Sequence, residues 1–294
     1  MKKNKGEQIQ KQEENLSIQT KSIKKKGKKP SKSKSNHNLN NPLYYPNTIE
    51  TALSYVTTNW KKVIENVNKN TIPSIDNFLE NEAQDCFCFN DNGEYGFATV
   101  KIYPPVNYIF NSFNHFNKED LKVVIIGQDP YINEVDGVPQ AMGMSFSVPN
   151  GVPKPPSLKN IHKEMVSDLG ITVPEHGNLT YLAKQGVLWI NAALTVRAKK
   201  SNSQASIWKD FTNNIIKYIS TKSHPVVFIL WGGFAQGKEQ YIDTTKHRVI
   251  KGAHPSPLSC SKFWGCKHFS KTNEALKSLG MEPIEWEEKT IPNI

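Results

Sequence analysis

The sequence predicts an α/β fold, a single domain in which a short parallel β-sheet of about four strands carries helices on both faces. Four short apolar runs, each of the length of a buried strand, recur after residue 120. Segments with helical spacing separate these runs, which is the pattern of strand–helix–strand units. A chain of 294 residues could hold one large α/β domain or two small ones. Because neither an internal repeat nor a shift in composition marks a second domain, we expect one.

Residues 1–43 are predicted to form a disordered, Lys-rich tail, and residues 44–294 the folded domain. Residues 1–40 contain twelve Lys and three Glu, which accounts for +9 of the net charge of +10. The tail has almost no large apolar side chains, so it cannot bury enough surface to offset the entropy of ordering. Its basic run at residues 24–29 suits nuclear import, loose contact with phosphates or simple solubility.

Composition also limits the compartment. The N-terminus has no apolar leader, and no stretch approaches the ~20 apolar residues that span a bilayer. We therefore expect an intracellular protein with no membrane association. The expected location is the nucleus if the source is eukaryotic, and otherwise the cytoplasm or the host cell of a virus. The spacings of Cys86, Cys88, Cys260 and Cys266 do not match structural zinc sites, so we predict neither a metal nor a disulfide.

The remaining elements follow in chain order. Apolar residues at helical spacing predict one helix over residues 50–69. The polar, turn-rich residues 81–97 predict an exposed loop or hairpin. A further short helix is predicted over residues 106–113, after a rigid connection at Pro104 and Pro105. The predicted strands are residues 123–126, 187–190, 226–231 and 248–250.

The residues that follow each predicted strand are the main functional signal. Asp129 and its neighbours follow the first strand, Asn191 the second, Gly232 the third and His254 the fourth. Asp129 alone could equally be a capping residue of a turn. In a parallel sheet, however, all four strand ends lie at one edge, where ligands bind in open α/β sheets. Four strand ends that each carry such a residue favour a reaction site over four unrelated turns.

An ordered set of motifs around these strand ends resembles the family-1 uracil-DNA glycosylases. Each motif is weak by itself, but the set covers about residues 50–290 in the order of that family and is highly specific. The matching segments are residues 127–131, 145–148, 155–158, 183–197, 230–232, 254–259 and 265–273.

The resemblance implies an enzyme of DNA repair that flips uracil out of DNA and hydrolyses its N-glycosidic bond to leave an abasic site. It implies no metal and no cofactor. The expected partner is uracil-containing DNA, single- or double-stranded, and the expected state is a monomer. Replication or repair proteins are candidate partners of the N-terminal tail.

The resemblance also assigns roles to single residues. Asp129 would position or deprotonate the attacking water, and His254 would stabilise the negative charge that develops on uracil O2. Leu258 would be the apolar wedge that fills the vacated base stack. The uracil pocket would comprise Gln128, Tyr131, Phe146 and Asn191, and the phosphate contacts would come from Ser157, Gly232, Gly233, Ser256 and Ser259.

The chain departs from the family pattern at three places. Ile132 stands where the family has a histidine, four extra residues separate Tyr131 from Gln140, and Gly233 stands where a serine is common. We predict an active enzyme that is slower, or one in which Asn133 or another loop residue supplies the lost contact.

Two alternatives compete with this reading. A binding protein could keep the fold as a platform that holds DNA without cutting a bond. A glycosylase for another base is disfavoured by the joint presence of Tyr131, which would clash with the methyl group of thymine, and Asn191, which reads uracil.

Overall fold

The computed structural model describes residues 48–83, 86–89, 95–98, 100–222 and 224–289, all of which belong to one compact unit. The predicted tail, and the predicted boundary at residue 44, lie outside the described residues. Within the described part of the chain, no helix is long and apolar enough to cross a membrane.

Nine α-helices and ten β-strands are defined among the described residues. In chain order they are α1 (Thr48–Ser54), α2 (Trp60–Asn68), α3 (Ile72–Ala83), β1 (Cys86–Phe89), β2 (Tyr95–Ala98), β3 (Ile102–Tyr103), β4 (Val123–Gly127), β5 (Glu134–Val135), β6 (Val138–Pro139), α4 (Pro156–Leu169), α5 (Thr180–Ala183), β7 (Val187–Asn191), β8 (Val196–Arg197), α6 (Ala205–Lys222), β9 (Val227–Trp231), α7 (Gly232–Gln236), β10 (Arg248–Gly252), α8 (Cys260–Phe263) and α9 (His268–Ser278).

The central sheet has four parallel strands in the order β10-β9-β4-β7. These are the four strands predicted from the apolar runs, so the predicted fold class is confirmed. The chain leaves β4 for β7 on one side and then crosses to β9 on the other side of β4. The strands of this sheet that follow β4 in the chain therefore lie on opposite sides of it. Open α/β sheets bind ligands at the carboxyl end of the strand where the strand order reverses in this way.

The alternating side chains of β4 face two separate cores. Val124 and Ile126 belong to a cluster that includes the apolar faces of α1, α2, α3 and α6. Val123 and Ile125 belong to a second cluster that includes α4, α5 and α9. Helices thus cover both faces of the sheet, which explains why β4, β7 and β9 are buried and almost entirely apolar instead of alternating, whereas the edge strand β10 also contains Arg248 and Lys251.

The predicted helix over residues 50–69 is wrong, because the structure has two helices there, α1 and α2. The break between them contains Thr57 and Thr58. The Thr57 backbone N–H donates to Asn114 Oδ1 at 2.9 Å, and the Thr58 hydroxyl donates to the Phe113 carbonyl at 2.7 Å. These long-range bonds stabilise a non-helical backbone at β-branched residues, which have modest helix propensity.

Two further local predictions need correction. Residues 106–113 form two 3₁₀ turns, Val106–Tyr108 and Asn111–Phe113, and not one helix. In the segment 81–97, the hairpin alternative is correct, since β1 and β2 pair antiparallel. The helix α3 runs into the start of that segment and was not anticipated.

The extra residues after Tyr131 form a tight β-hairpin. Strands β5 and β6 pair antiparallel and are joined by Asp136 and Gly137, whose φ angles are 50° and 79°. Two consecutive residues with positive φ are typical of a type I′ turn, and Asp-Gly is a favoured pair for it. The insertion is therefore an ordered element at the edge of the site.

Candidate active site

A cavity of about 220 Å³ lies at the carboxyl ends of β4 and β7. It brings together seven of the residues that the sequence predicts for the site, namely Gln128, Asp129, Tyr131, Phe146, Ser157, Asn191 and His254. Gly232 and Gly233 line an adjoining cavity that shares Gln128 and His254. Ser256, Leu258 and Ser259 do not line either cavity and lie on the loop that follows His254.

Asn191 is the last residue of β7 and lies directly opposite Gly127, the last residue of β4. Its side chain is almost fully buried, with 8% exposed. A Cβ atom on Gly127 would lie 2.2 Å from Asn191 Oδ1 and 2.8 Å from the Ser145 Cβ. Only glycine therefore leaves the Asn191 amide in its position on the cavity wall.

Phe146 and Tyr131 form an apolar wall that is held in place by a hydrogen bond. The Tyr131 hydroxyl donates to the Phe146 carbonyl at 3.0 Å, and burial raises the pKa of Tyr131, so the phenol stays neutral. Phe146 has a φ of 64° and packs its ring edgewise against Trp189 and Trp231. The unusual backbone and the packed rings fix the face that borders the cavity.

His254 is held as a neutral imidazole. Its Nδ1 accepts a hydrogen bond from the Ser256 backbone N–H at 3.1 Å. Burial lowers the pKa of His254, because desolvation disfavours the charged ring. With Nδ1 acting as an acceptor, the single proton of the neutral ring lies on Nε2, which is left as a donor.

Asp129 is oriented by the loop that follows β8. Its Oδ2 accepts hydrogen bonds from the Ser201 hydroxyl at 2.9 Å and from the Asn202 backbone N–H at 2.6 Å. Both donors hold the same oxygen, so Oδ1 is the oxygen left for a further hydrogen bond. Ser201 also lines the cavity.

Neither Ser201 nor Asn202 was predicted from the sequence. The loop that carries them follows the short strand β8, which is not part of the central sheet, so no strand end pointed to it. The available signal was the run of polar residues, 199–204, between Ala198 and α6.

Ile132 lines the cavity as an apolar residue. Its side chain packs against a small cluster that contains Tyr103, Ala141 and Val196. Asn133, which the sequence suggested as a replacement for a lost polar contact, accepts a hydrogen bond from Lys199 Nζ at 2.9 Å and does not line the cavity. Ser201 is a polar loop residue that lines the cavity and contacts Asp129.

The loop after His254 presents a fully exposed leucine. The side chain of Leu258 is 99% exposed. The Ser259 hydroxyl donates to the His254 carbonyl at 2.7 Å and lies 3.2 Å from the Ser256 hydroxyl. These bonds, together with Pro255 and Pro257, hold the loop while Leu258 projects into solvent.

Three of the predicted phosphate contacts, Ser157, Gly232 and Gly233, line the two cavities and lie at the starts of helices. Ser157 is in the first turn of α4, and Gly232 and Gly233 begin α7. Gly232 has a φ of 84°, and a Cβ atom there would lie 2.9 Å from the His254 Cβ. Glycine is therefore needed at residue 232 for both its backbone and the position of His254.

The described residues offer little for a metal. No group of three or more His, Cys, Asp or Glu side chains in the described part of the chain is arranged to hold an ion. Cys260 and Cys266 are free thiols, and the side chains of Cys86 and Cys88 lie outside the described set.

Comparison with known proteins decides the family. Residues 113–277 match the model of the uracil DNA glycosylase superfamily. The chain belongs to this family. The predicted resemblance is therefore confirmed, and with it the class of a glycosylase that cleaves N-glycosyl bonds.

Curated relatives and solved structures of uracil-DNA glycosylases agree with this assignment. A uracil-DNA glycosylase of Caenorhabditis elegans is 47% identical over 250 residues, which are 83% of this chain and 83% of the relative. One from Campylobacter curvus is 54% identical over 187 residues, which are 63% and 79% of the two chains. The crystal structure of mimivirus uracil-DNA glycosylase superposes with a TM-score of 0.69 at 29% identity, covering 81% of this chain and 89% of that one.

Proposed function

We propose that this protein excises uracil from DNA by hydrolysing the bond between C1′ of the deoxyribose and N1 of the base. The observation that carries the proposal is the convergence of Asp129, Asn191 and His254 on one cavity in a chain of this family. The cavity is about 220 Å³. A base inside a duplex is covered by stacking and pairing, so uracil must leave the duplex to enter the cavity.

Asn191 supplies recognition of uracil. Its amide N–H₂ can donate to O4 while its carbonyl oxygen accepts from N3–H. Cytosine presents an amino group and an unprotonated N3 at the same places, so both hydrogen bonds would be reversed and the buried amide would be left unpaired. The amide is fixed in one place by its close approach to Gly127.

Tyr131 and Phe146 complete the selection of the base. The Phe146 ring offers a rigid apolar face for stacking, since its other sides are packed by two tryptophans. Tyr131, bonded to the Phe146 carbonyl, would stand at the carbon that bears the methyl group in thymine. Ordinary thymine would be excluded by steric overlap with this fixed ring.

His254 stabilises the leaving group. As the glycosidic bond breaks, its electron pair moves into the uracil ring and negative charge grows on O2. The neutral His254 ring donates from Nε2 because Nδ1 is occupied by the Ser256 N–H. A donor that is already oriented in a dry site stabilises this charge without reorganisation during the reaction.

Asp129 completes the reaction at the sugar. The departing base leaves an oxocarbenium-like sugar, whose positive charge the carboxylate favours. Asp129 Oδ1 orients a water whose oxygen forms the new bond to C1′, and the carboxylate accepts the proton that this water loses. The products are free uracil, which takes up a proton on N1, and an abasic deoxyribose.

The exposed loop after His254 would keep the base out of the helix. Leu258 is the most exposed large apolar side chain among the described residues, and an apolar wedge can occupy the gap in the stack. Phosphates of the same strand would be held by the hydroxyl groups of Ser157, Ser256 and Ser259 and the backbone N–H groups of Gly232 and Gly233.

Release of uracil from a labelled oligonucleotide tests the proposal. We expect Asp129→Asn to lower kcat roughly a thousandfold and His254→Leu roughly a hundredfold or more. Asp136→Asn is a matched control, because Asp136 is exposed on the turn of the β5–β6 hairpin and does not line the cavity. Wild-type rates for both site variants would refute the mechanism, and DNA binding without any abasic product would favour the platform alternative.

A further inference from the structure

The surface beyond Leu258 carries an exposed indole with an ammonium group on its face. The Lys163 Nζ lies 3.7 Å from the centre of the Trp264 ring. Trp264 is 40% exposed, and Lys163 is exposed as well. A cation over the face of a tryptophan is attracted by the ring, so the ammonium is held in place while it keeps access to solvent.

Helix α4 links this pair to the uracil cavity. Ser157, in the first turn of α4, lines the cavity. One turn later, the Asn160 side chain donates to the Pro255 carbonyl at 2.8 Å and so contacts the loop that carries Leu258. Lys163 follows three residues further on. At a rise of 1.5 Å per residue, Lys163 is about 9 Å from Ser157 along the helix axis.

The segment that carries Trp264 is anchored to the same helix. The buried carboxylate of Glu164 accepts hydrogen bonds from the Gly265 N–H at 2.7 Å and the Lys267 N–H at 2.9 Å. Asp168 accepts from the backbone N–H groups of Phe269 and Ser270 at the start of α9. Trp264 is therefore presented by a fixed backbone, and its pairing with Lys163 is built into the fold.

Charge is concentrated on these two segments. Residues 154–168 and 256–271 contain six Lys and only two acidic residues, whereas residues 41–294 as a whole carry a net charge of about +1. Both acidic side chains, Glu164 and Asp168, are engaged by backbone N–H groups. The lysines are Lys154, Lys159, Lys163, Lys262, Lys267 and Lys271.

We infer that Lys163, held on Trp264, contacts a backbone phosphate of duplex DNA that flanks the flipped uridine. This inference rests on the proposed function and adds a site outside the uracil cavity. Lys163 lies one helical turn beyond Asn160, which contacts the loop that carries Leu258, so a duplex opened by Leu258 would extend across the pair. A short single strand that fills only the cavity and the adjacent serines would not reach Lys163.

The test compares kcat/KM on a uracil-containing duplex and on a short uracil-containing single strand, between about 50 and 200 mM salt. Lys163→Met keeps an apolar side chain on the indole and removes the charge. In Lys163→Met, we expect kcat/KM on the duplex to fall roughly fivefold more than kcat/KM on the single strand. The slope of log kcat/KM against log salt on the duplex should become less steep by about 0.9, the value for one lost phosphate contact.

Lys62→Met is the matched control, because Lys62 is an exposed lysine of α2, which packs on the other face of the sheet. A Trp264→Leu variant should reproduce part of the Lys163→Met effect, since the ammonium loses its platform. A duplex salt slope in Lys163→Met equal to that of the wild type would overturn the inference, as would equal losses on both substrates. Wild-type protein that releases no uracil from either substrate would instead refute the proposed function.

Discussion

The Ser201 hydroxyl donates to Asp129 Oδ2 at 2.9 Å, across 72 residues of chain. The Asn202 N–H donates to the same oxygen. A carboxylate that is held through one oxygen has a defined rotation, and its other oxygen, Oδ1, is left for a further hydrogen bond. Ser201 thus acts as a positioning residue for Asp129, on a wall where Ile132 offers no polar atom.

Replacing Ser201 tests this relationship. We expect Ser201→Ala to lower kcat roughly tenfold with little change in KM, because the Asn202 N–H still holds the carboxylate in part. Ser201→Thr retains the hydroxyl and should recover most of the rate. Steady-state kinetics on a uracil-containing single strand provide both parameters. A rise in KM at constant kcat would show that Ser201 contributes to substrate binding and not to the position of Asp129.

Gly127→Ala should disable the site through Asn191. The added methyl group would lie 2.2 Å from Asn191 Oδ1, so the amide must move. Because a displacement of about 1 Å at a reacting group costs on the order of a hundredfold in rate, we expect a loss of kcat/KM of that size. Urea unfolding should show a loss of stability of about 1–3 kcal/mol, the usual cost of overpacking a core position.

Gly237→Ala is the control for this substitution. A Cβ atom at Gly237 would make only ordinary contacts, the nearest at 3.4 Å. Its rate and stability should remain close to those of the wild type. If Gly127→Ala also kept the wild-type rate, the tight packing of β4 against Asn191 would have no role in recognition.

The sequence was sufficient to predict the sheet because the information for it is local. Each strand is a self-contained apolar run, and parallel pairing brings the residues after each run to one edge. As predicted from the strand ends, Asp129, Asn191 and His254 therefore line one cavity. The four strands differ from their predicted bounds by two residues or fewer.

The missed features depend on contacts between distant parts of the chain. The break between α1 and α2 is stabilised by hydrogen bonds to Asn114 and Phe113, which lie more than 50 residues away. Ser201 follows a strand outside the central sheet, so its approach to Asp129 had no signature in sequence spacing. The positive φ of Phe146 likewise occurs at a residue whose ring packs against Trp189 and Trp231, which are distant in the chain.

Leu258→Ala should separate duplex from single-strand activity. Leu258 is 99% exposed, so its truncation should change the free energy of unfolding by less than about 0.5 kcal/mol. On duplex DNA the side chain would be buried in the stack, an interaction worth about 1.5–3 kcal/mol. We expect the duplex rate to fall roughly tenfold to a hundredfold and the single-strand rate to stay near that of the wild type. If the rate of Leu258→Ala relative to the wild type fell by the same factor on both substrates, or on neither, the wedge role would be contradicted.

Stability should fall as the pH drops below the ordinary pKa of histidine, and His268 is a main cause. Burial lowers the pKa of His268 to about 4, and its Nδ1 accepts a hydrogen bond from the Trp231 indole N–H at 2.8 Å. Between pH 4 and 6.5 the unfolded chain binds a proton that the folded protein does not, so stability rises with pH across this window. The pKa difference corresponds to about 3 kcal/mol. Urea unfolding at about pH 7 and pH 5, which covers only part of this window, should show a loss of about 2 kcal/mol in the wild type and a smaller one in His268→Gln, whose side chain does not titrate. An unchanged pH dependence in His268→Gln would assign the effect to other buried histidines.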